Sequence, residues 1–96
     1  MNAAALRKSS TPPKGASASL TALWHAAKGD WDMAHTLVMD DGSREAAWVH
    51  AYLHRVEGDE SNAGYWYAKA KKPHAKTAHD IEWAEIAGAL LSGNGL

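Results

Sequence analysis

One pattern, Ala-x-x-His-x-x-x-Gly-Asp-x-x-x-Ala, occurs twice in the chain, at residues 22–34 and again at 51–63, an offset of 29 residues. Gly29 and Gly58 suit the left-handed position that stops a helix, and Asp30 and Asp59 can accept hydrogen bonds from the free amides that open the next one. Ala22, Ala34, Ala51 and Ala63 are small enough for two helices to approach closely at those points. The repeat therefore predicts two helix-turn-helix units, and strand pairing has no place in either.

Apolar spacing supplies the lengths. Leu20, Leu23, Trp24 and Ala27 fall at i, i+3, i+4 and i+7, the spacing of one helical face. The same reading predicts helices over 19–28, 31–39, 44–57, 60–71 and 78–91. Ser43 is a candidate N-cap for the third, Pro73 forbids continuation of the fourth, and Thr77 with Asp80 resembles a capping box for the fifth. The expected fold is all-α: two antiparallel helical hairpins plus a C-terminal capping helix, five helices in all, spanning residues 19–92. Residues 8–19 (KSSTPPKGASAS) have no periodic apolar residue to offset the entropy of ordering them, so residues 1–18 are expected to be a flexible tail, and 93–96 a flexible C-terminus.

Composition excludes several classes. The chain has no cysteine, which removes disulfides, thiolate metal sites and a thiol nucleophile. Ten Lys plus Arg against eleven Asp plus Glu leave no bulk field for a polyanion, so nucleic acid is not an expected partner. The most apolar stretch, 81–91, contains Glu82 and Glu85 and falls well short of the roughly 20 residues that span a bilayer. The basic pair Arg7-Lys8 follows a very short apolar run, the wrong order for an export signal. A cytoplasmic protein without a membrane association is expected. Phosphate-cradling glycine loops and the Gly-x-Ser-x-Gly elbow are absent, which points away from an enzyme.

Ala51, Gly58-Asp59, Ala63, Tyr67 and Ala70 stand at the spacing of the small and aromatic positions of a tetratricopeptide repeat, and the segment 47–70 resembles one such unit. The first copy, with Val38 and Asp41 at the corresponding points, resembles a degenerate one. The stretches 47–70 and 23–40 are also similar to a group of short, uncharacterised bacterial proteins. The resemblance implies a bacterial cytosolic scaffold that binds a protein or peptide, with Trp48, Tyr52 and Arg55 on the stripe lining its groove. It also implies that His25 and His54 pack one helix of a hairpin on its partner and that Tyr67 is a packing aromatic. Tyr65 then remains for a contact surface or a homodimer seam, since three consecutive rings cannot all face one core.

His50, His54 and Glu57 are the sharpest chemical constellation. Spacings of four and three place them on one stripe of the third predicted helix, where two imidazoles and a carboxylate can supply three ligands to zinc or iron, with His35 or His25 as an additional donor. The same stripe lies opposite the apolar arc of Trp48, Val49, Tyr52, Leu53 and Val56, and its first reading is a polar helix face. Lys69, Lys71, Lys72 and Lys76 suit the negative end of a helix. The leading expectation is a non-catalytic protein or peptide interaction module without a cofactor. The alternative is a small metal-binding or metal-dependent protein using His50, His54 and Glu57.

Overall fold

The structure, a computed structural model, describes residues 1–93, and their regular structure is entirely helical. In chain order the helices are α1 (Ala3–Lys8), α2 (Ala18–Ala27), α3 (Trp31–Val38), α4 (Arg44–Val56), α5 (Glu60–Ala70) and α6 (His79–Ser92). Helix α2 packs most extensively on α3, and α4 on α5; α6 lies against α1, α2 and α4. No described helix is long and apolar enough to cross a membrane. Of the expected C-terminal segment 93–96, all but Gly93 lies outside the described residues.

The two Gly-Asp turns share one hydrogen-bond pattern. The amides of Gly29 and Gly58 donate to Ala26 and Arg55 at 3.0 Å, and those of Asp30 and Asp59 donate to His25 and His54 at 2.9 Å. This is the Schellman closure, and it requires the positive φ of +83° and +87° that the two glycines adopt. Asp30 and Asp59 then accept from the amides of Met33 and Asn62, each at 3.1 Å, and so open α3 and α5.

The described residues form six helices rather than five. The additional helix, α1, lies in the segment expected to be a flexible tail. Asn2 caps it by accepting from the Ala5 amide at 2.8 Å, and Leu6 is fully buried among Leu20, Leu23, Trp83 and Ile86. Arg7 lies over the Trp83 ring at 4.5 Å, and the Trp24 indole donates to the Ser9 carbonyl at 3.0 Å. A six-residue helix is not stable alone. Packing of Leu6 into the site between α2 and α6 holds it there, and one leucine in an aperiodic segment carries no amphipathic signal.

A second correction concerns α6. Its N-cap is Ala78, which makes no side-chain cap bond, so Thr77 and Asp80 form no capping box. The Thr77 carbonyl instead accepts from the Arg55 guanidinium. A third concerns α4: of its expected polar stripe, Glu57 is exposed but His50 and His54 are not. His50 and His54 are buried by α3 and α5, and Arg55 by Glu82 of α6, together with Val49, Tyr52 and Leu53.

Candidate metal centre

The site begins with α3, whose Trp31 and His35 lie one turn apart and stack, ring centroids 4.7 Å apart and planes within 10°. The Trp31 indole donates to the Leu53 carbonyl of α4 at 2.7 Å, which anchors the pair across the interface between α3 and α4. His35 meets the ring of His50 edge-on, and the two Nε2 atoms are 3.1 Å apart. On its other face His50 stacks on Trp66 of α5 at 3.9 Å, while His54, one turn along α4, lies 4.8 Å from His50 and 5.3 Å from His35. Three imidazoles therefore converge between two indoles. One donor nitrogen from each of His35, His50 and His54 lies within 4.8 Å of the others.

Tautomers follow from the partners. The Glu57 carboxylate can only accept, so at 2.6 Å His54 Nδ1 is the donor, which leaves Nε2 as the ring nitrogen open to a metal. That Nε2 is 3.4 Å from the side-chain amide nitrogen of Asn62, in the first turn of α5. His50 is held to about 4, far below the ordinary imidazole range, first by burial and then by the adjacent His35 and His54. Burial, reinforced by His54, also lowers His35, against smaller raising contributions from Glu57 and Asp32. Both rings are neutral at physiological pH and present lone pairs. Among the described residues, His50 Nδ1 is a buried nitrogen without a hydrogen-bond partner.

The expected trio of His50, His54 and Glu57 is thus changed by one member. Glu57 sits on the Nδ1 side of His54, where it orients the ring, and His35 of α3 takes its place beside His50 and His54. A second group of donors, His54, Glu57 and Asp59, shares only His54 with the first, and Asp59 already serves as the cap of α5. His25, the other additional donor considered, packs edge-on against Trp24 and belongs to neither group. Sequence spacing could have paired His35 with Trp31 at i, i+4, but contact between α3 and α4 is what brings His35 to His50.

The expected groove residues are dispersed. Tyr52 is buried, with its phenol pushed up to about 12, mainly by burial and secondarily by Glu82. Arg55 is 7% exposed and donates from Nη1 to Glu82 Oε1 at 2.9 Å, while Glu82, itself 3% exposed, also accepts from the Tyr67 hydroxyl. Neither Tyr52 nor Arg55 is free to contact a partner, because α6 brings a carboxylate onto the side of α4 that the resemblance left open. Trp48 is half-buried beneath the Lys72 ammonium, 4.3 Å from the ring centre, at the edge of a cavity of about 330 Å³ that Glu82 and Glu85 also line. Tyr65 is 55% exposed and lies under Lys69.

Comparison of the chain with known protein families, with curated proteins and with solved structures finds no match in any of the three.

Proposed function

We propose that this protein binds a divalent first-row transition metal, zinc foremost, through His35, His50 and His54. The observation that carries the reading is the 3.1 Å separation of His35 Nε2 and His50 Nε2, with a His54 nitrogen within 4.8 Å of both. With Zn–N bonds of about 2.0–2.1 Å, two ligand nitrogens stand about 2.9 Å apart at a right angle and about 3.3 Å apart at the tetrahedral angle, and the observed pair falls between. Glu57 on His54 Nδ1 supplies the outer carboxylate that commonly orients a metal-bound imidazole. Three imidazoles without a carboxylate among them favour zinc over the two-histidine, one-carboxylate pattern of non-haem iron.

The supporting scaffold reads as two Gly-Asp helical hairpins of tetratricopeptide type, with His35 contributed by the first and His50 and His54 by the second. Elemental analysis of the purified full chain tests the metal reading. About one equivalent of bound metal is expected, lost in His35→Gln and His54→Gln, together with a thermal shift of the wild type on adding zinc. Copper(II) should quench Trp31 and Trp66, which stack on two of the ligand rings. Absence of metal, of a zinc-dependent shift and of quenching would refute the reading.

A second reading, a protein or peptide contact surface, is favoured by Tyr65, an exposed ring flanked by Lys69 and Trp66. Cross-linking or capture in which Tyr65→Ala retains every partner and every dimer would count against it.

A further inference from the structure

Three imidazoles leave a four-coordinate ion one position short. Resting on the metal reading above, we infer that the fourth position takes a small exogenous ligand, water or hydroxide or a monovalent anion, and that Asn62 holds it by donating a hydrogen bond. The Asn62 amide nitrogen is 3.4 Å from His54 Nε2, the atom whose lone pair a metal would take. Once that lone pair is committed, the amide N–H loses its acceptor while remaining beside the coordination sphere. An oxygen or nitrogen atom bound to the metal is the acceptor that restores it.

The protein's own acids are placed elsewhere. Glu57 is engaged at His54 Nδ1, on the far side of the ring from Nε2, and Asp59 accepts from the Asn62 backbone amide. Neither belongs to the donor group formed with His35 and His50. Three neutral imidazoles leave both charges of the ion uncompensated, which favours an anion. Asp32 and Glu57 act on His35 electrostatically, so they oppose a multiply charged anion more strongly than a monovalent one. His35 and Asn62 are half-buried, whereas His50 and His54 are buried.

The test uses the full chain loaded with cobalt(II), whose visible absorption reports coordination, and titrates it with sodium azide. Supporting results are a saturable spectral change in the wild type and, in Asn62→Ala, unchanged cobalt affinity with azide affinity lowered about tenfold, the loss expected for one hydrogen bond to a charged acceptor. A cobalt spectrum indifferent to azide would overturn the inference and leave the metal site standing, since the protein would then complete the sphere itself. An Asn62→Ala variant that loses cobalt would do the same, making Asn62 a ligand. Failure of cobalt to bind at all would overturn both readings.

Discussion

Replacing Glu82 with Gln removes one charge from a buried network and leaves its partner behind. Arg55 donates Nη1 to Glu82 and Nη2 to the Thr77 carbonyl, and Tyr67 donates its hydroxyl to the second carboxylate oxygen. Arg55 and Glu82 are 7% and 3% exposed, so water cannot replace the lost charge. Breaking a buried pair from one side costs about 3–5 kcal/mol. A domain of this length has roughly 5–14 kcal/mol of stability in total, so Glu82→Gln should lose a large share of it and lower Tm by roughly 15 °C or more. Removing both charges in Glu82→Gln/Arg55→Met should recover much of the loss, because the desolvation cost disappears with the charges. Urea unfolding followed by Trp fluorescence and by circular dichroism measures each variant, and equal m-values would show that the same surface is exposed in all. A loss below about 1 kcal/mol for Glu82→Gln, or a double variant whose loss equals the sum of the two singles, would refute the claim that these groups act as one buried unit.

Three further outcomes are expected. In the metal-free protein, stability should be full above the ordinary imidazole pKa of 6.5 and fall as pH drops toward about 4, where His50 charges in the fold; an unfolded chain binds the proton earlier, so the loss reaches at most about 3 kcal/mol and levels off below that pH. A urea midpoint that does not move between pH 7.5 and 4.5 would contradict this. Gly58→Ala should destabilise by about 1–2 kcal/mol through its φ of +87° although nothing lies within 4 Å of the added Cβ, whereas Gly88→Ala, equally unobstructed inside α6, should stabilise by about 0.5–1 kcal/mol. Thermal melts that move in the same direction for both would contradict it. Leu6→Ala should cost about 2–5 kcal/mol as a fully buried leucine, where a flexible tail would show no change in the urea midpoint.

The sequence by itself determined the local devices. Helical periodicity, the paired Gly-Asp turns and Pro73 act within a few residues, so their effect can be read without knowing what packs where. The helical class and the two shared turns follow from them. Tertiary packing decided the rest. Helix α1 exists because Leu6 fills a site made by α2 and α6, and α6 is entered at Ala78, one residue past Thr77, whose carbonyl accepts from Arg55. A helical projection placed His50 and His54 on one stripe, but whether that stripe meets solvent or protein depends on α3 and α5. The same dependence exchanged Glu57 for His35 in the proposed metal trio and turned Arg55 from an expected groove residue into the partner of Glu82. Each of those outcomes rests on a contact between residues far apart in the chain, and spacing along one helix carries no information about its neighbours.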